Sequence, residues 1–249
     1  MPSPVAASVQ PAVNRMAVRA PIVRLPGDPY PGLPGVPPGS IPAFPPPPKA
    51  IRPVLPGGPL APALSRLATS QPVMFITIDD GVVRRPEARA LIEAAHVPVT
   101  LFLISKVAAK DPGYFSALQG SGAVIEDHTI NHPSLRHKPY ALQHKEICES
   151  ADRLGEMFGR RPLLFRPPYG EYDQNTRKAA HDCGMKALLT WREATNAGHV
   201  YYQTPVQKLH AGDIVLMHFR PAFVADFLAI LKAAHDANLT PALLENYLA

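Results

Sequence analysis

The chain has 249 residues, of which 46% are hydrophobic and 18% charged, with a net charge of +5. That supplies apolar material for a sizeable core, in one large domain or two small ones. No Lys/Arg run accompanies the charge and only 7% of residues are aromatic, which excludes a nucleic-acid binder, and no stretch is long and apolar enough to span a membrane.

Of the 31 prolines, 19 fall in residues 1–70. Pro-Gly-Asp-Pro-Tyr-Pro-Gly (26–32) and Phe44 followed by four prolines (45–48) disfavour helices and inner strands. Residues 1–70 are therefore expected to be a Pro-rich spacer or tail, extended and largely without regular structure, with a partial coat on the domain as the alternative. The first 30 residues do not read as a signal peptide, because Val5 to Val13 is too polar and lacks leucine.

The folded domain is expected from about residue 71 to 249. Val73 to Ile78 is an apolar, β-branched run bounded by Pro72 and Gly81, and reads as a buried strand stopping at Asp79 and Asp80. Arg85 to His96 has helical spacing, with Ala88, Leu91, Ile92 and Ala95 on one side. Val97 to Ile104 reads as a second strand. Asp111-Pro112 opens a helix, with Asp as cap and Pro in the first turn, and Gly120 and Gly122 end it.

Ala123 to His128 reads as a third strand, and Tyr140 to Phe158 as a long amphipathic helix closed by Gly159. Leu163 to Phe165 is a short fourth strand leading into Arg166-Pro167-Pro168-Tyr169-Gly170. Asp173 caps a further helix that Gly184 stops, and Lys186 to Trp191 is a fifth strand. Asp213 to His218 is a sixth, a helix of about 222–238 follows, and Leu239 to Leu244 is a candidate final strand. Strand and helix alternate at short intervals, which predicts an α/β fold with a largely parallel sheet, and a small or irregular barrel suits the strand count.

Polar residues collect at predicted strand ends: Asp79, Asp80, His128, Arg166 and His218. In parallel α/β folds chemistry gathers there. Adjacent aspartates at a strand tip repel unless a cation or donors hold them. His128 and His132, at i and i+4, are expected on one face of a helical turn, so that both imidazoles reach one ion, with Pro133 ending the turn. Two imidazoles and a carboxylate leave open positions on a cation, a hydrolytic arrangement. Cys148 and Cys183 form no Cys-x-x-Cys pair, which excludes zinc-finger and redox motifs. A bridge between them and two free thiols both fit the sequence; a bridge would close a loop of about 35 residues.

Thr-Ile-Asp-Asp-Gly at 77–81, His-Thr-x-x-His-Pro at 128–133, Arg-Pro-Pro-Tyr-Gly at 166–170 and the late Leu-x-His at 216–218 together resemble the motifs of the polysaccharide deacetylases, carbohydrate esterase family 4 with the NodB-homology domain. The resemblance covers about residues 72–249. It implies a distorted (β/α) barrel and metal-dependent removal of acetyl groups from glycans. Asp80, His128 and His132 would hold a divalent metal, with zinc foremost and cobalt or nickel compatible. Asp79 would be the general base, oriented by Arg166. The Tyr169 backbone N–H would stabilise the oxyanion, His218 would act as general acid, and Leu216 would line the acetyl pocket.

The family's fourth motif carries aspartates after a tryptophan, one of which tunes the acid histidine. Here Trp191, a candidate substrate contact, is followed by Arg192, Glu193 and Ala194, which leaves Glu193 as a substitute acid partner and predicts a weaker or differently organised acid step. The expected substrate is a cell-wall glycan, peptidoglycan ahead of chitin, handled by a monomer outside the cell, with a cytoplasmic location left open. The competing readings are a metal-retaining glycan-binding protein with little turnover and an amide hydrolase acting on a small acylated molecule.

Overall fold

The computed structural model describes residue 30 and residues 33–248. In chain order the elements are β1 (Ala63–Leu64), β2 (Val73–Asp80), α1 (Glu87–Ala95), β3 (Thr100–Leu103), α2 (Ser105–Ala108), α3 (Pro112–Gly120), β4 (Val124–Asp127), α4 (Tyr140–Phe158) and β5 (Leu164–Phe165). Then come a 3-10 turn (Pro168–Gly170), α5 (Gln174–Asp182), β6 (Ala187–Leu189), β7 (Glu193–Asn196), β8 (His199–Tyr202), β9 (Ile214–His218), α6 (Phe223–Asp236), β10 (Thr240–Pro241) and α7 (Glu245–Leu248). The strands form one sheet in the order β1-β6-β5-β4-β3-β2-β9-β7-β8, with β10 pairing β2 off this path. All neighbours are parallel except the β7–β8 hairpin.

Alternation along β2 sorts its side chains between two cores. Met74, Ile76 and Ile78 pack outward with Leu101, Leu103, Val215 and Met217 against α1 and α6. Val73 and Phe75 point inward and meet Phe102, Leu164, Leu189 and Ile214. Those inner residues come from β3, β5, β6 and β9, which are not all sheet neighbours, so the sheet must curl to bring them together. The result is a partial barrel with helices outside. It is fastened low on its open side, where Leu67 N–H donates to the Gly212 carbonyl (2.8 Å) and Arg66 bridges Asp213.

Helix ends follow the sequence signals. Asp111 accepts from the Tyr114 N–H with Pro112 in the first turn, Asp173 and Thr176 form a reciprocal capping box, and Gly159 closes α4 in the left-handed region (φ 76°).

The structure extends the domain further toward the N-terminus than a boundary at residue 71. Of the stretch 26–32 only Tyr30 is among the described residues. From Leu33 onward the chain lies on the domain: Leu33, Val36, Ala61 and Leu67 are buried, and Ile41 and Phe44 pack on the outer core. Gln71 holds this coat by donating to the Lys49 carbonyl and accepting from Ile51 N–H, both at 2.9 Å. Proline fixes the path of such a segment, so a few apolar anchors suffice to seat it. The strand expected over 239–244 is shorter, and α7 follows it. The β7–β8 hairpin has no counterpart among the predicted elements; its two-residue turn, Ala197-Gly198, has both φ values positive (52° and 79°).

Cys148 and Cys183 are bridged, tying α4 to the end of α5 across 35 residues. A loop of that size is worth about 3–4 kcal/mol in the chain-entropy model. Replacing both cysteines by serine is expected to lower the melting temperature by roughly 2–4 °C per kcal/mol lost, read by calorimetry.

Candidate active site

The tips of four strands, β2, β4, β5 and β9, and the turn at Pro168–Gly170 converge at the carboxyl end of the sheet. The register pairs Thr77 with Leu216 and Asp79 with His218, so these four side chains share the inner face. Asp79 and Phe102 are likewise paired. Arg166, directly after β5, reaches across this face. It is fully buried, stacks on the Phe102 ring at 4.3 Å, and donates from one terminal nitrogen to Asp79 Oδ1 (2.7 Å) and Thr77 Oγ1 (2.8 Å). Its other terminal nitrogen donates to the Thr190 carbonyl (3.3 Å).

Asp80, His128 and His132 form a cluster whose ligand atoms all lie within 4.8 Å of one another. Asp80 Oδ1 is 3.5 Å from His128 Nε2 and 3.4 Å from His132 Nε2. His128 Nδ1 lies 2.7 Å from the Arg166 carbonyl. A carbonyl only accepts, so the neutral imidazole carries its proton on Nδ1 and turns the Nε2 lone pair toward Asp80. Asp80 Oδ1 is buried and has no hydrogen-bond partner among the described residues. Facing lone pairs on an orphaned carboxylate oxygen and an imidazole nitrogen fit a cation between them.

The electrostatics agree. Burial opposes a charge on His128, yet the nearby carboxylates of Asp79 and Asp80 outweigh it and raise its pKa. Burial also opposes ionisation of Asp80, but its imidazole neighbours prevail and hold its pKa down. The site draws positive charge. The other cluster of this kind among the described residues, His144 with Cys148 and Cys183, has its sulfurs committed to the disulfide.

The loop that carries the histidines is not the helical turn expected from their spacing. Thr129 and His132 both adopt positive φ (69° and 60°), and the backbone is held by side chains instead. Asp127 Oδ1 accepts from Thr129 N–H (3.1 Å), Thr129 Oγ1 accepts from His132 N–H (3.0 Å), and Glu146 on α4 accepts from the N–H groups of Ile130 and Asn131 (both 3.0 Å). Neither Thr129, Asp127 nor Glu146 was singled out from sequence; the signal available was a buried-type helix position occupied by Glu. Asp80 (φ 74°) and Tyr169 (φ 62°) are also left-handed, so backbone strain concentrates at this site.

Asp79 stands beside the cluster, its Oδ2 3.8 Å from His128 Nε2. Tyr169 places its ring 4.7 Å from that of His132, and its backbone N–H donates to no acceptor among the described residues. Leu216 is buried on the inner face. Trp191 lies 5.9 Å from the Arg166 guanidinium and fills the space where a Cβ on Gly170 would sit. His218 is half-buried, and burial together with Arg220 lowers its pKa against the pull of Asp79 and Asp80.

Glu193 is not brought to His218. It pairs with Val215, whose side chain points outward, whereas His218 points inward. Its neighbour is Asp213; burial, reinforced by that carboxylate, pushes the Glu193 pKa up to about 8. Among the described residues the charged groups that act on His218 are Asp79, Arg220, Asp80 and His128, and Glu193 is not one of them. A raised carboxyl pKa means that the folded state keeps a proton which the unfolded chain releases near the ordinary glutamate value of 4.5. Stability from this group is full below that value and is lost as pH rises through about 8. Glu193→Gln is expected to flatten the decline in melting temperature over this range, leaving the share due to Glu245 and Asp127, each also pushed up to about 8.

The polysaccharide deacetylase sequence profile matches residues 66–188, which include Asp79, Asp80, His128, His132 and Arg166. An uncharacterized protein of Streptomyces coelicolor is 40% identical over 197 residues, covering 77% of this chain and 79% of its own length. A peptidoglycan-N-acetylglucosamine deacetylase of Bacillus cereus is 31% identical over 107 residues, 42% of this chain and 39% of that one. A carbohydrate esterase family 4 pseudoenzyme from Bacillus anthracis superposes with a TM-score of 0.64 at 16% identity, over 75% of this chain and 69% of that chain, a likeness of fold. With the profile ending before β7, it is the register of β9 on β2 that sets His218 beside the matched motifs, and the chain belongs to the polysaccharide deacetylase family.

Proposed function

We propose that the protein is a metal-dependent hydrolase that removes acetyl groups from N-acetylated cell-wall glycans. One observation carries this reading. Asp79 has one oxygen fixed by a buried arginine and the other free beside, but outside, a three-residue metal cluster. A carboxylate so placed has no structural need of the cluster and is positioned to take a proton.

Asp80, His128 and His132 would hold the ion, zinc by donor set, with cobalt or nickel compatible. When bound, the ion supplies Lewis-acid charge for the attacking water and the amide oxygen. Asp79 receives the water proton on Oδ2 while Arg166 keeps Oδ1. The Tyr169 N–H donates to the carbonyl oxygen as negative charge grows there. Leu216 backs the acetyl methyl, and Trp191 steadies the Tyr169-Gly170 turn from behind. His218, across from Asp79, gives its proton to the nitrogen as the C–N bond breaks, leaving acetate and a free amine. The lowered pKa of His218 makes it a readier donor and a scarcer one at neutral pH. The disulfide suits an oxidising compartment and so supports an extracellular or wall-associated location. No helix among the described residues is long and apolar enough to cross a membrane.

The test is acetate release from peptidoglycan fragments and chitin oligomers, with metal content measured on the same sample. Release that is lost on chelation and restored by a divalent metal supports the reading. Bound metal with no release from any N-acetylated glycan would overturn it in favour of a glycan-binding role or of a small acylated substrate.

A further inference from the structure

A cavity of about 350 Å³ opens beside the metal cluster, and Asp80, His132, Lys106 and Lys110 are among the residues that line it. Its position is rigidly tied to the site. Ile104 N–H donates to the Asp80 carbonyl (3.3 Å), Ser105 N–H to Thr129 (3.0 Å) and Lys106 N–H to Ile130 (3.3 Å). The start of α2 is thereby bonded to both loops that carry the metal ligands. Lys106 Nζ donates to the Asn131 side-chain oxygen (3.2 Å), which aims it along the cavity wall. Lys110 is exposed and forms no ion pair among the described residues, the carboxylate of the adjoining Asp111 facing Arg84 instead (4.0 Å). Asp80 is the one carboxylate on the lining, and it belongs to the metal cluster. Two exposed lysines thus border a small cavity whose one lining carboxylate belongs to the metal cluster, and such a pocket recruits an anion.

We propose that this cavity is a subsite for a carboxylate on the glycan, so that the enzyme prefers acidic wall glycans to neutral chitin; this rests on the hydrolase reading above. The chemistry fits the reach. In a muramic-type sugar a lactyl ether on the ring carbon next to the acetamide carries a carboxylate, and where a peptide is attached the lactyl carboxyl becomes an amide and the peptide's own carboxylates lie nearby. Val107 and Ile130, also on the lining, would pack on the lactyl methyl or on peptide side chains. A neutral chitin chain offers nothing to either ammonium group.

The experiment compares the metal-loaded full chain on a peptide-free tetrasaccharide of alternating N-acetylglucosamine and N-acetylmuramic acid, on its methyl ester, and on chitotetraose. The expected kcat/KM ratio of free acid to ester is about five- to tenfold, the scale of two partly solvated ion pairs. Lys106→Met with Lys110→Met should bring that ratio to about one, and the Arg pair should restore it, a rescue that a loss of fold would not give. A peptide-bearing fragment separates the two carboxylate sources: a ratio that responds to the lysines only with this fragment places the carboxylate on the peptide. Calorimetric binding of acid and ester reads the same preference without turnover, so failure to release acetate defeats the hydrolase reading alone. Equal handling of acid and ester by the parent protein, in both rate and binding and with the peptide-free and peptide-bearing substrates alike, overturns the proposal.

Discussion

Asp79→Asn is expected to lower kcat for acetate release by about 10²–10⁴-fold, the range for removal of a general base, with metal content unchanged. Asn keeps the shape of Asp and still offers an oxygen to Arg166, so the 2.7 Å contact has a neutral replacement. It cannot take a proton. The proposed metal donors are untouched, because Asp79 Oδ2 stands 3.8 Å from His128 Nε2 while Asp80 supplies the carboxylate of the cluster. Elemental analysis and steady-state kinetics on the same preparation separate the two roles. If metal is lost along with activity, Asp79 is a ligand and the base lies elsewhere. KM should move little, since the carboxylate acts on water and not on the sugar.

The strand tips were legible because a buried parallel strand is a short apolar run, and a polar residue that ends one must have a reason to be there. Val73 to Asp80 carries that contrast, and so do Val124 to His128 and Ile214 to His218. The face on which each tip residue projects follows from register, which sequence does not print. Glu193 shows the cost. Two residues past Trp191 it looked like a stand-in for a missing aspartate, yet the β7–β9 register turns it outward, away from His218. The hairpin itself was hidden because Glu193 to Tyr202 alternates weakly and its turn, Ala197-Gly198, lacks the Asn-Gly signal.

The histidine loop failed for a different reason. An i, i+4 pair fits a helical turn, but here positive φ at Thr129 and His132 goes with loop N–H groups that donate to Asp127 and to Glu146, which lies 14 residues beyond His132 in the sequence. Long-range clamps of that kind leave no local pattern. The N-terminal coat was half legible: proline excludes regular structure but says nothing of whether an extended chain lies against a neighbour. Leu33, Val36 and Phe44 are the anchors that decide it.

Arg166→Met is expected to destabilise the protein by about 3–5 kcal/mol, the range for stripping one partner from a buried ion pair. Arg166 is completely buried and Asp79 nearly so, so the abandoned carboxylate cannot turn to water. The side chain also satisfies Thr77 Oγ1 and the Thr190 carbonyl and stacks on Phe102, contacts that Met replaces only in part. Lys keeps the charge but is a single point of donors, and it cannot meet Asp79, Thr77 and Thr190 together, so Arg166→Lys should fall between parent and Met. The backbone of residue 166 complicates a bare measurement, because its carbonyl orients His128 and its N–H bonds Asp127 (2.9 Å). A double-mutant cycle removes that ambiguity. In the Asp79→Asn background the buried charge is already gone, so Arg166→Met should cost less than in the parent by at least about 1 kcal/mol in urea unfolding. Additive losses would mean that the two side chains are independent, and the fixed base on which the hydrolytic reading depends would have no support from the fold.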